Sequence, residues 1–198
     1  MKTKLLIFSL SFFLIQGCSP SDDEFIPTLP PISQTGANTF GCFIDGKLLV
    51  PRDGSGSTLG SDRGMRFFAF PPDRLYNEIV VRDFSSDEAG RIVLHILDLE
   101  NLSAGEYVVN ESNCQDNEDS PFTTNIFCRI FDTSQGSYKN YCSYENSGNI
   151  SITKNDGTIV SGVFNVTVRN LSDDTDEIEI IDGRFDINRA TLSEANFQ

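Results

Sequence analysis

The stretch "GNISITKNDGTIVSGVFNVTVRN" constrains the fold more than any other part of the chain. Ile150 and Ile152 alternate with Asn149, Ser151 and Thr153, and Asn155-Asp156-Gly157 supplies a turn. Val160, Gly162, Phe164, Val166 and Val168 then share one face, while Ser161, Asn165, Thr167 and Arg169 share the other. Successive side chains of a strand point to opposite faces, so this pattern predicts two half-buried strands joined as a hairpin. Val163 is the exception. A helix needs apolar residues at i, i+3, i+4 and i+7, and no segment supplies a convincing run of that kind.

The same signature recurs. Phe40, Cys42 and Ile44 alternate with Gly41 and Phe43, ahead of Asp45-Gly46 and Leu48 to Val50. Asp-Gly between apolar runs predicts a type I′ turn with positive φ at both residues. Met65 to Phe70, Glu78 to Phe84, Ile92 to Leu99 and Glu106 to Val109 are further strands, each bounded by Gly, Pro, Asp, Asn or Ser. The last strand changes phase. Ile178 and Ile180 occupy one face, Ile181, Phe185 and Ile187 the other. This predicts a bulge or bend between Ile180 and Gly183, with Gly183 taking the unusual φ. The expected fold is one all-β antiparallel domain over residues 38–198, sandwich or barrel-like.

Met1 to Gly17 has the layout of a secretory signal. Lys2 and Lys4 precede an apolar core, Leu5 to Ile15, too short to span a bilayer as a helix. Ile15-Gln16-Gly17-Cys18 resembles the lipobox of bacterial lipoproteins, which implies cleavage before Cys18 and acylation of it. Two or three acyl chains anchor a protein without a spanning helix. The rival is an ordinary secretory signal with Cys18 incidental. Residues 18–37 then read as an acidic, proline-containing tether, with Pro20, Pro27, Pro30 and Pro31 keeping it extended.

Fifteen basic against 29 acidic residues give a net charge of −14, and loss of Lys2 and Lys4 with the signal would take it to −16. Such a surface repels phosphate backbones, so no nucleic-acid partner is expected. Cys42, Cys114, Cys128 and Cys142 form an even set suited to disulfides in an oxidising compartment. A zinc site is the alternative, but no Cys-x-x-Cys pair occurs and His95 is the only histidine. If Ile126 to Asp132 and Ser137 to Tyr144 form a hairpin centred on Gln135, Cys128 faces Cys142 and the remaining pair is Cys42 with Cys114.

"QTGANTFGCFIDGKLLVP", the Ile150 hairpin and "IIDGRFDI" together resemble a family of Bacteroidetes-type outer-membrane lipoproteins of unknown function. The resemblance implies a β-rich domain on a lipid anchor and supplies no catalytic residues. Ser21-Asp22-Asp23-Glu24 resembles the signal that exports such lipoproteins to the cell surface; the alternatives are a periplasmic face and a merely solvating tether.

Candidate chemistry is sparse. His95 sits in "RIVLHILDL", apolar in both phases, and no G-x-S-x-G elbow accompanies it, so a structural role is expected. Asp116, Glu118 and Asp119 form one acidic cluster, and Asp173, Asp174, Asp176 and Glu177 another. Loop carboxylates could serve a glycan hydrolase, or Asp173, Asp174 and Asp176 could hold calcium, although neither cluster has EF-hand spacing. The grouped aromatics Phe67, Phe68 and Phe70, and Tyr138, Tyr141 and Tyr144, are expected to pack in the core or across strands. The sequence therefore favours a non-enzymatic binding or structural module with no cofactor, attached to the membrane through its lipid and meeting a protein or glycan partner. A carboxylate hydrolase and a calcium-stabilised adhesin-like domain are the other two classes.

Overall fold

The computed structural model describes residues 26–56, 62–69, 75–86, 90–115 and 122–198. The lipobox with Cys18, the Ser21–Glu24 segment, Phe70 and the acids Asp116, Glu118 and Asp119 lie outside them. Eleven antiparallel strands form one sheet, with no α-helix among the described residues.

The strands are β1 (Thr39–Ile44), β2 (Lys47–Leu49), β3 (Met65–Ala69), β4 (Tyr76–Arg82), β5 (Arg91–Leu97), β6 (Gly105–Val109), β7 (Asn125–Asp132), β8 (Ser137–Cys142), β9 (Gly148–Asn155), β10 (Ile159–Asn170) and β11 (Asp173–Asn188). The main path runs β2-β1-β11-β10-β8-β7-β5-β4-β3. One edge of β10 is shared. Val160 to Val166 pair with β9, which carries β6, and Arg169 and Asn170 pair with β8. The inner faces of the strands meet in a single core that includes Phe40, Met65, Ile79, Ile92, Val109, Ile126, Ile150, Phe164, Ile180 and Phe185. The sheet thus wraps this core without closing into a barrel, and a smaller buried cluster, Val80, Val93 and Phe127, lies on its outer face. The ends of β2 and β4 touch at one parallel bridge, Arg52 with Asp83, where Arg52 N–H donates to Arg82 O and Phe84 N–H to Arg52 O.

Turn chemistry follows the sequence. Asp45 and Gly46 both take positive φ, 48° and 73°, as a type I′ turn requires. The phase change in β11 is a bulge. Phe164 faces Gly183 while Val166 faces Ile180, so β11 holds one extra residue relative to β10. The same extra residue appears against β1, between Gly41 and Phe43. The positive φ, 54°, falls on Asp182 and not on Gly183 as expected from the sequence. Asn165 stabilises it by accepting the Asp182 N–H at 2.9 Å. Gly183 has a different reason: a Cβ there would lie 2.5 Å from the Phe164 ring.

The chain ahead of β1 lies on the sheet. Pro30 and Leu29 cover Gly41, where a Cβ would meet Pro30 at 2.5 Å. Ser33 to Ala37 are held by the buried carboxylate of Asp186 on β11. It accepts from Ser33 Oγ at 2.6 Å, Gly36 N–H at 2.8 Å, Thr35 N–H at 3.0 Å, Ala37 N–H at 3.2 Å and, across the strand pair, Ser161 Oγ at 2.7 Å.

A candidate binding cleft

The β7–β8 hairpin corrects one expectation. Asp132 faces Ser137, and Phe127 faces Cys142, so the register is one residue away from a hairpin centred on Gln135. Thr133 to Gly136 form an even loop, with Gly136 at φ 64° donating to Asp132 O. A one-residue slip exchanges the faces. Cys128 therefore points into the core opposite Tyr141, and Cys142 points outward beside Phe127. Cys142 is bonded to Cys114, with Cα atoms 5.4 Å apart, within the span of a disulfide. Neither the Cys128–Cys142 nor the Cys42–Cys114 pairing forms. Cys42 and Cys128 are buried thiols, and burial pushes Cys128 up to about 12.

The same register sets up a cleft of about 470 Å³, bounded by the β1–β2 hairpin, the β7–β8 hairpin, the start of β11 and the Arg52–Asp83 bridge. Ile130, Asp132, Lys139 and Tyr141 share the inner phase of the β7–β8 hairpin, because Ile130 faces Lys139 and Cys128 faces Tyr141. Lys139 Nζ lies 3.1 Å from Asp132 Oδ2 and 3.1 Å from Asp176 Oδ2. Asp176 also accepts from Tyr141 OH at 3.0 Å and from Asn170 Nδ2 at 2.8 Å. Arg52 closes the far side, its Nε donating to Asp83 at 2.8 Å in a two-pronged ion pair. Ile44, Leu48, Leu49, Phe131 and Ile178 supply the apolar wall.

Every charged group of this network already has a partner. Ser134, then Lys139, donate to Asp132 and hold it down at about 2. Asn170 leads the donors that keep Asp176 below the ordinary carboxylate range. Hydrogen bonds to Asp176 and Asp132 raise Lys139. Burial, then the bond to Asp176, raise Tyr141 to about 12. At neutral pH the Lys139 network thus holds two carboxylates, Asp132 and Asp176, a lysinium and a neutral phenol, and neither of those two carboxyls is kept as an acid. A glycosidase needs one acid kept protonated by its surroundings.

No known protein family, curated protein or solved structure matches the chain.

The structure separates the residues proposed for calcium. Asp173 caps its own turn through Thr175, Asp176 faces Lys139, and Asp174 is exposed. Among the described residues no group of three His, Cys, Asp or Glu could hold a metal ion. His95 is buried on β5, its Nδ1 3.2 Å from Glu78 Oε1 and its ring 4.2 Å from that of Tyr76. Tyr138 packs edge-on against Phe131 across the hairpin, Tyr141 is in the core, and Phe67 packs against the core. Lys139, Asp132, Arg52 and Asp83 escaped the sequence reading. The signal for Lys139 and Asp132 was their shared phase with Tyr141, which only the correct hairpin register exposes.

Proposed function

We propose that the chain is a non-catalytic, lipid-anchored domain of a bacterial outer membrane, displayed at the cell surface, which binds a hydroxyl-rich ligand, a glycan, in the Lys139 cleft. One observation carries the binding reading: the cleft sets a fully paired polar cluster, Asp132–Lys139–Asp176–Tyr141, beside an apolar wall that includes Phe131. Preset polar groups against an aromatic or aliphatic wall suit orientation of a ligand more than its chemistry. The anchor rests on the lipobox resemblance at Cys18 and the display on the acidic Ser21–Glu24 segment. Two carboxylates gathered on one lysine also favour a second reading, hydrolysis of that glycan by Asp132 and Asp176.

A glycan array probed with the full chain tests both. Binding that falls about tenfold in Lys139→Met supports the cleft, that being the loss of one charged hydrogen-bonding centre. Release of new reducing ends, abolished in Asp176→Asn, would establish the hydrolase instead. Binding unchanged in Lys139→Met removes the cleft as the seat. For the anchor, cells fed an alkyne-tagged fatty acid should label the wild-type chain and leave Cys18→Ser unlabelled; equal labelling of both refutes it.

A further inference from the structure

The segment ahead of β1 runs back along the sheet. Thr35, Gly36 and Ala37 donate to Asp186, which neighbours Thr39 at the start of β1. Nearer the N-terminus, Pro30 covers Gly41, and its carbonyl accepts from Arg184, the residue facing Gly41. Pro27 then lines the Lys139 cleft together with Ile44 and Asp45, where β1 ends. Gly41 alternates with the core residues Phe40 and Cys42, so this strap, residues 27–37, lies on the outer face.

The two ends of the strap stand at opposite ends of the domain. β10 and β11 run from the turn at Leu171, beside Asp176 and the cleft, to Ile159 and Asn188. The 12 residues of β10 rise about 37 Å. Gly36 rests against Ile159 and Asn188, at the far end. A chain entering the domain there would leave the cleft remote from the point of attachment. The strap reverses this, because the chain enters beside the cleft. From Cys18 to Pro27 the sequence reaches at most about 32 Å, against about 72 Å from Cys18 to Asn38.

We infer that the cleft end of the domain is turned to the anchoring bilayer and that the cleft takes the uncharged glycan headgroup of a lipid in that bilayer. This rests on acylation of Cys18 and on the glycan reading of the cleft. A body held by one end keeps that end nearer its support. Ile26 and Leu171 present exposed apolar side chains at the same end, where a bilayer interface can receive them. Asp45, Asp173 and Asp174 are exposed there too and repel phosphate, which favours a neutral headgroup. A ligand confined to the same leaflet meets the cleft at high effective concentration, so modest contacts suffice to hold it.

Lipidated full chain in phosphatidylcholine vesicles tests the orientation by energy transfer to acceptor dyes on the lipid headgroups. The donor is attached through Thr133→Cys at the cleft or Thr158→Cys at the far end. Cys42 and Cys128 are buried and Cys114 is bonded to Cys142, so these four do not compete for it. Transfer about twofold higher from Thr133 is expected, the far end lying about 37 Å beyond the cleft. Equal transfer, or more from Thr158, overturns the inference while the chain still floats with the vesicles. A chain that fails to float, as Cys18→Ser should, removes the anchor and the inference with it. For the ligand, vesicles doped with digalactosyldiacylglycerol should shield Lys139 from a water-soluble acylating reagent several-fold more than the same bulk concentration of free digalactose, as peptide mapping reads. Shielding by the lipid no greater than by the free sugar overturns the membrane-borne ligand. A glycan array without a hit, beside higher transfer from Thr133, removes the glycan and upholds the orientation.

Discussion

Asp186 is nearly solvent-free and charged, and its surroundings explain why it stays so. Burial alone would raise its pKa. Hydrogen bonds from Ser33, Ser161, Gly36 and Ala37 outweigh burial and hold it well below the ordinary carboxylate range. A carboxyl whose folded pKa is depressed stabilises the fold above its unfolded value, and that stabilisation is lost as pH falls through the folded value. Denaturant titrations should therefore show stability declining steadily below about pH 4, with a shallower decline in Asp186→Asn. Asp186→Ala leaves several donors without an acceptor and should cost about 3 kcal/mol, and more if the Ser33–Ala37 strap detaches. A pH profile of Asp186→Asn parallel to wild type would contradict this account. Nothing in the local pattern marks Asp186. It sits among apolar strand residues as one polar letter, and all its donors but Ser161 come from a segment about 150 positions away.

Among the elements, β11 shows what pattern can and cannot locate. The phase change between Ile180 and Phe185 did mark a bulge, since a period-two strand cannot otherwise bury both sets. Which residue took the strained φ depended on Asn165, a contact no local pattern encodes. Gly183 is kept small by the Phe164 ring. Gly183→Ala should cost about 1–3 kcal/mol through overpacking. Adding Phe164→Leu should restore part of that loss, which chemical denaturation of the single and double variants can measure. Strictly additive losses would mean the ring is not the obstacle. The β7–β8 hairpin teaches the complementary lesson. Both strands were legible, but loop parity was not, and one residue of parity decided the disulfide and hid Lys139 from view.

At the scale of the whole molecule, the all-β class and most strand positions were legible because each strand buries one face. The order of strands was not, because pairing partners such as β1 and β11 are chosen by shape over most of the chain. The wrap itself depends on a narrow contact, the Arg52–Asp83 bridge, which brings β2 to β4 without closing the sheet. Arg52→Ala should speed amide exchange at Arg52 and Phe84 about tenfold, the loss of one largely buried ion pair, while β10 and β11 stay protected. Uniform acceleration across the sheet would show instead that the bridge governs global unfolding.

The pairing of β1 with β11 also sets a schedule. Thr39 finds its partner only when Asp186 has left the ribosome. The β1–β2 hairpin must wait nearly the length of the chain before it has a sheet to join, and β10 waits for the same strand. Contacts this distant in sequence are closed late and slowly. The whole stretch from β2 to β10 is therefore made while the first hairpin has no sheet to join. A chaperone able to shield that hairpin until β11 arrives should raise the yield of folded protein.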